Sequence, residues 1–160
     1  MIKINIISIG DIKETFYKKA LKEYEKRISR FAAVTVLEIQ EERLPQNPSN
    51  SQITQALEKE GKNIIKKMKE SNFSIALALE GRSFSSEEFS QKIEDIIKIG
   101  FNGIEFIIGS SYGLSEEVKK KCNERLSFSK MTFPHQLMRV ILTEQIYRCF
   151  KIMKNEIYHK

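Results

Sequence analysis

Cysteine is scarce in this 160-residue chain. Cys122 and Cys149 are its only two, far apart and outside any metal-ligand spacing. A disulfide scaffold is therefore excluded, and the pair reads as reduced cytosolic thiols, one of them in the core. Histidine is equally rare, at two residues, which leaves no set of ligands for zinc. Long hydrophobic runs are missing too. No stretch approaches the roughly 18 apolar residues of a membrane span. Lys3 interrupts the apolar N-terminus and no small-residue cleavage site follows it, against a secretory leader. Familiar site signatures are absent as well. No G-x-G-x-x-G follows the first strand, no G-K-[ST] marks a P-loop, and no G-x-S-x-G marks a nucleophile elbow.

What is present fits one globular domain spanning residues 1–160, on the prior of about 150 residues per domain. Apolar residues are 41% and charged residues 30% of the chain, too apolar for disorder. A chain of this size buries roughly 68–70% of its unfolded surface and needs no metal or disulfide to fold. Twenty-seven basic against 21 acidic side chains give a net charge of +6. From Lys119 onward there are ten basic and three acidic residues, an excess of seven; counted from Asn123 the excess is four. A concentrated basic excess is the footprint of a polyanion partner. A solvated helix face explains the same charges.

Strands and helices alternate. Ile2–Ile9 reads as a buried strand. Tyr17, Ala20, Leu21, Tyr24 and Ile28 recur at helical spacing. Val34–Ile39 is a second strand. Ser49 and Gln52 fit a capping box that opens a charged helix to about Lys69. Phe73–Leu79 is a third strand, and Ser85 with Glu88 caps the next helix. Ile104–Ile108 is a fourth strand, a short helix follows Ser115, and Leu126–Phe128 is a brief fifth. Pro134 suits the first turn of a last helix running to about Met153. The alternation predicts an α/β fold with a mostly parallel sheet flanked by helices. Ligands of such sheets bind at the carboxyl ends of strands, here the loops after Leu79, Ile108 and Phe128. The last helix is apolar nearly all round, as a helix buried in a core or between subunits would be, so a homodimer through it is expected.

Chemistry-bearing residues gather late in the chain. Ile107–Gly113 runs from a strand into a small-residue turn, where Gly109 would allow close approach of a ligand or simply make the turn. Leu126–His135 places three hydroxyls, Lys130 and apolar side chains before a helix N-terminus, which suits a small amphipathic ligand as well as it suits a helix cap. His135 and Arg139 lie one helical turn apart and share a face. Arg139 is suited to an anion. Glu144 and Arg148 repeat that spacing as an ordinary ion pair. Tyr158 and His159 close the chain with Lys160.

The run SFSKMTFPHQLMRVILTEQIYRCFKIMKNEIYHK, Ser127–Lys160, closely resembles the bacterial large-subunit ribosomal RNA methyltransferase H family, small SPOUT-superfamily enzymes that methylate N3 of a pseudouridine in 23S ribosomal RNA. The resemblance extends to KEYEKR (Lys22–Arg27) and FIIGSSYGL (Phe106–Leu114), and so covers nearly the whole chain. It implies a trefoil knot, an exception to the usual connection rules, a cytoplasmic homodimer, and S-adenosylmethionine as cofactor. It assigns cofactor contacts to Leu77, to Gly109 and to the loop Phe128, Ser129, Lys130, Met131, Thr132 and Phe133. Four positions depart from the family pattern: Ser110 and Asn155 stand in place of glycine, Ile157 in place of proline or alanine, and Asp11 in place of lysine.

Methyl transfer from a sulfonium requires a nucleophile held in line, so positioning carries much of the rate. An imide N3–H must lose its proton, and the developing anion is steadied by a cation. Arg139 is the candidate cation. His135, His159 and Tyr158 are candidates for the base or for its positioning. The basic C-terminal quarter is expected to hold ribosomal RNA or the assembled ribosome, with no metal and no membrane involved. Two other classes remain at this stage. A non-catalytic RNA-binding module would lack affinity for S-adenosylmethionine, and a small-molecule methyltransferase would have no use for the basic segment.

Overall fold

The computed structural model describes residues 1–160. Its centre is a five-stranded, wholly parallel sheet in the order β2-β1-β4-β3-β5. β1 (Ile2–Ile9) and β4 (Gly103–Ile108) lie inside the sheet. Both are mainly apolar on either side because helices cover both of their faces, with Asn5, Ser8 and Glu105 as buried polar exceptions. β2 (Ala32–Ile39) and β5 (Glu124–Ser127) are the edges, and β3 (Phe73–Ser83) separates β4 from β5.

Alternation along the strands divides the core in two. Ile4, Ile6, Ile75, Ile104 and Phe106 point to the side covered by α1 (Thr15–Ile28), α3 (Ser86–Ile99) and α5 (His135–Met153). Ile7, Ile9, Ala76 and Ile107 point to the side covered by α2 (Asn50–Lys67) and α4 (Glu116–Lys121). Both capping boxes form: the Ser49 and Ser85 hydroxyls accept from the backbone N–H of Gln52 and Glu88, whose side chains accept in return. Glu105 of β4 is fully buried on the α2 side. Its carboxylate accepts from Asn72 Nδ2 at 2.9 Å, Asn5 Nδ2 at 3.3 Å and the Lys69 backbone N–H at 3.1 Å. Amide donors thus satisfy it without a cation.

Three element boundaries differ from expectation. β3 runs to Ser83, past Leu79, and its pairing with β5 breaks between Leu77 and Arg82, both of which face Leu126. The extra residues bulge out of the ladder. Gly81 permits this, because a side-chain carbon there would stand 2.7 Å from the Arg125 carbonyl carbon and the Leu126 nitrogen. β5 ends at Ser127, leaving Phe128 to the loop. Pro134 caps α5 from outside rather than filling its first turn.

The last helix is less uniform than its sequence. It packs between α1 and α3 and buries Leu142, Ile146, Cys149 and Phe150, but also Arg139, Thr143 and Lys151. Leu137, Val140, Ile141 and Ile152 remain half-exposed.

Candidate functional site

A cavity of about 690 Å³ opens at the carboxyl edge of β3, β4 and β5, within the range of pockets for drug-sized ligands. Three segments build it. The first is Leu77 with the bulge Ala78–Glu80. The second is the turn Ile108–Leu114. The third is the connection from Leu126 to His135, with Met138 of α5 behind it. Leu77, Leu126, Phe128, Phe133 and Met138 provide apolar walls, and Ser110, Ser129 and Thr132 provide hydroxyls. At the rim Lys119 Nζ pairs with Glu80 at 2.7 Å.

The turn is held by its own atoms. The Gly113 N–H donates to the Ser110 carbonyl at 2.9 Å, and the Ser110 hydroxyl accepts from Tyr112 N–H at 3.3 Å. Gly113 has φ +89°, the left-handed region that suits glycine. A side-chain carbon on Gly109 would collide with the Gly113 carbonyl. The glycine is thus required by the closure of the turn itself. In the third segment, Ser129 Oγ accepts from Met131 N–H at 3.0 Å.

Of the eight residues expected around a cofactor, Leu77, Gly109, Phe128, Ser129, Met131, Thr132 and Phe133 line this cavity, whereas Lys130 is exposed outside it. His135 lines it as well. Arg139 does not. It is 3% exposed and is tied to the ends of the first two strands: Nη1 donates to Glu38 Oε2 at 3.1 Å, and Nη2 to Ser8 Oγ at 2.9 Å and to the Gly10 carbonyl at 3.1 Å. Its Nε is buried without a protein partner. Ser8, Glu38 and Gln136 escaped sequence reasoning. The Gln136 side-chain oxygen accepts from the backbone N–H of Lys13 at 3.0 Å, pinning the segment after β1 to the start of α5. Contacts over more than 100 residues leave no local signal.

Tyr158 and His159 lie elsewhere. The Tyr158 hydroxyl donates to Glu144 Oε1 at 3.0 Å, and its ring stands edge-on to Tyr147 at 4.8 Å. Burial and the neighbouring Glu144 carboxylate push the phenol up to about 12. Arg148 Nη1 stands 3.2 Å from His159 Nδ1, and His159 Nε2 stands 2.5 Å from Glu87 Oε1. A guanidinium only donates, so Nδ1 accepts and the Nε2–H points at Glu87. Glu144 lies nine residues beyond His135 on α5, about 13.5 Å along the helix axis at ~1.5 Å per residue. One chain therefore keeps the four candidate reactive residues in two separate groups. Burial pushes the Cys122 thiol up to about 11, and the Cys149 thiol up as well, so neither is a nucleophile at neutral pH.

Of the ten basic residues from Lys119 onward, five are ion-paired within the chain: Lys119 and Arg125 with Glu80, Arg139 with Glu38, Arg148 with Glu144, and Lys151 with Glu156. No cluster of three or more His, Cys, Asp or Glu side chains is placed to hold a metal ion. No helix is long and apolar enough to cross a membrane.

A family model described as predicted SPOUT methyltransferase matches residues 2–159. The chain belongs to that family. Within the family it is similar to the ribosomal RNA large subunit methyltransferase H of Clostridium botulinum strain 657, with 51% identity over 157 residues, 98% of this chain and 99% of that one. Ribosomal RNA large subunit methyltransferase H 1 of Clostridium perfringens strain SM101 is 49% identical over the same shares. Among solved structures, a probable methylase family protein from Haemophilus influenzae Rd KW20 matches with a TM-score of 0.52 at 13% identity, covering 99% of this chain and 70% of that one. That likeness concerns the fold alone.

Proposed function

We propose that this SPOUT methyltransferase transfers a methyl group from S-adenosylmethionine to N3 of a pseudouridine in 23S ribosomal RNA, on the assembled ribosome, as a cytoplasmic homodimer. The observation that carries the reading is the cavity at the carboxyl edge of the sheet, with His135 in its wall. Half-identical relatives named for large-subunit ribosomal RNA methylation set the substrate class. One domain, residues 1–160, suffices, with the knot that the family fold implies.

The cavity suits the cofactor. S-adenosylmethionine presents an apolar purine, a hydroxylated ribose and a charged amino-acid end. Leu77, Leu126 and Phe128 offer apolar walls, Ser110, Ser129 and Thr132 offer hydroxyls, and the Gly109–Gly113 turn offers backbone polar groups. Once bound there, the cofactor supplies an already activated methyl group on its sulfonium.

The chain's own residues supply positioning and proton handling. His135 stands in the cavity wall and is the candidate base for the imide proton. Arg139, one helical turn behind His135, is held by Glu38, Ser8 and the Gly10 carbonyl outside the cavity and is a positioning residue. It fixes Gly10 and, through the helix turn, the place of His135. Tyr158 stays protonated at neutral pH and is a hydrogen-bond donor, not a base. The tail group of Tyr158 and His159 is too far along α5 to meet His135 of its own subunit. In a dimer formed on the half-exposed face of α5, it completes the site of the partner subunit.

The decisive test is nucleoside mass spectrometry of ribosomal RNA from a strain lacking this protein. We expect loss of one N3-methylpseudouridine, restored by the wild-type gene and not by His135→Gln. Unchanged nucleosides would overturn the reading. RNA binding without measurable affinity for S-adenosylmethionine would point to a non-catalytic RNA-binding module.

A further inference from the structure

We infer that a notch between the loop after β2 and α2 seats a backbone phosphate of the substrate RNA, with α2 continuing the track as a lysine stripe. The inference rests on the function proposed above and concerns a surface outside its cavity. The notch has a volume of about 160 Å³ and is walled by Arg43, Lys59, Gln52 and Gln55, with Leu44 and Pro45 as an apolar side. One carboxylate, Glu42, also lines it. Arg43 and Lys59 are exposed, and none of the ion pairs in the structure uses them. This contrasts with the C-terminal quarter, where half of the basic side chains are neutralised in place.

The notch is built rather than incidental. Glu60 of α2 is 3% exposed, and its Oε2 accepts from the Glu42 backbone N–H at 2.9 Å. That bond fixes the loop against the helix and sets the gap between Arg43 and Lys59. Two cations and two amides around a small polar gap match a phosphodiester, whose oxygens only accept. Beyond the notch, Lys62 and Lys66 follow Lys59 at helical spacing on the solvent pole of α2, also exposed and unpaired. The three lysines span about 10.5 Å at ~1.5 Å per residue.

The surface also reaches the reaction site. A side-chain carbon on Gly10 would stand 3.5 Å from His135 Nε2 and 3.7 Å from Glu41 Oε2. The loop after β2 therefore passes beside His135 two residues before Arg43. An RNA strand with one phosphate in the notch places a neighbouring nucleotide at the cavity mouth. The Glu41 carboxylate beside Gly10 repels phosphate, which favours the notch side for the backbone.

The test uses the full chain and ribosomes isolated from a strain lacking it. Binding is read by co-sedimentation at several salt concentrations, and methyl transfer by initial rates against ribosome concentration. For Arg43→Gln with Lys59→Gln we expect KM to rise about tenfold, kcat at saturation to hold within twofold, and the slope of log affinity against log salt to fall by about two. Arg43→Lys with Lys59→Arg should restore both. If the first pair disturbs folding by circular dichroism, Lys62→Gln with Lys66→Gln carries the same test, with about a threefold rise in KM. Wild-type KM and salt slope in well-folded variants would overturn the surface alone. Wild-type protein that binds S-adenosylmethionine but no ribosome would overturn the proposed function and the surface with it. A photoreactive group at Gln55 should crosslink to RNA; crosslinks confined to a protein would replace RNA by a protein partner.

Discussion

Arg139 and Glu38, 101 residues apart, meet at 3.1 Å with the arginine buried and the glutamate half in water. The pair joins the start of α5 to the end of β2, and the second guanidinium nitrogen adds Ser8 and Gly10. Removing either partner has unequal consequences. Glu38→Gln leaves a buried cation with neutral acceptors only, and should cost about 1–3 kcal/mol. Arg139→Ala also leaves a void and should cost about 2–4 kcal/mol. Urea titration at neutral pH measures both. Glu38→Gln should leave affinity for S-adenosylmethionine within about twofold, since neither residue lines the cavity. A large loss of affinity would show that this pair shapes the pocket.

Gly109 and Gly113 should respond differently to alanine. Gly109→Ala drives a methyl group into the Gly113 carbonyl and should lower cofactor affinity at least tenfold by displacing the turn. Gly113→Ala has open space around it and pays only for its positive φ, about 1–2 kcal/mol. Its affinity loss should be smaller than that of Gly109→Ala. Leu77→Asp should weaken binding by placing a charge in an apolar wall. Calorimetry ranks the three, and equal affinities would place the cofactor elsewhere.

The dimer should depend on the outer face of α5. Ile141 is half-exposed, so Ile141→Glu should give a folded monomer by sedimentation at micromolar concentration. Ile146 is 2% and Phe150 4% exposed within one chain. Ile146→Lys and Phe150→Asp should therefore unfold the subunit. A folded, dimeric Ile141→Glu protein would move the interface off this face.

The tail should act on chemistry more than on cofactor binding. Deleting Tyr158–Lys160 should leave affinity for S-adenosylmethionine nearly intact while methylation falls at least 100-fold. Mixing the truncated chain with Gly109→Val should restore some activity, because one site per heterodimer is whole. A dead mixture with demonstrated subunit exchange would mean that each tail serves its own subunit.

Glu60 should make stability depend on pH. Burial, followed by the charges of Glu41 and Glu42, pushes its carboxyl above the usual glutamate range despite the bond from Glu42. The folded state therefore holds the proton more tightly than the unfolded one, and stability falls as pH rises from the ordinary glutamate value through the raised one. Glu60→Gln keeps the acceptor and loses the charge. It should raise Tm at neutral pH, with the gain shrinking toward pH 4. A gain that grows with acidity would contradict this sign.

The sheet and its helices were legible because their signals are local. β1 and β4 announce themselves as mainly apolar runs, and the capping boxes at Ser49 and Ser85 lie within four residues. The cavity-lining turn was legible for its small residues, although the atom that demands glycine at 109 is the carbonyl of Gly113. The β3 bulge was not legible, because what shapes it is the backbone of β5 beside Gly81. Periodicity also could not separate Ile146 from Ile141: both are isoleucines on one helix, and only the placement of α1 and α3 decides which is covered. The charge census misled in the same way. It located basic residues, while their partners Glu80, Glu38 and Glu144 decide which of them remain available.

β4 sits between β1 and β3, yet it follows both in the chain. A nascent polypeptide can pair β1 with β2 as soon as Ile39 has emerged, but β3 has no strand partner until residues 103–108 arrive. Until then β3 has two open edges and its apolar faces lack their central neighbour. The middle of the sheet is thus its last interior piece to be made, a long-range closure of the kind that slows folding and prolongs exposure of unpaired strands. For this chain, synthesis and folding are coupled by strand order, and a ribosome stalled before Gly103 would present a half-sheet that cannot close.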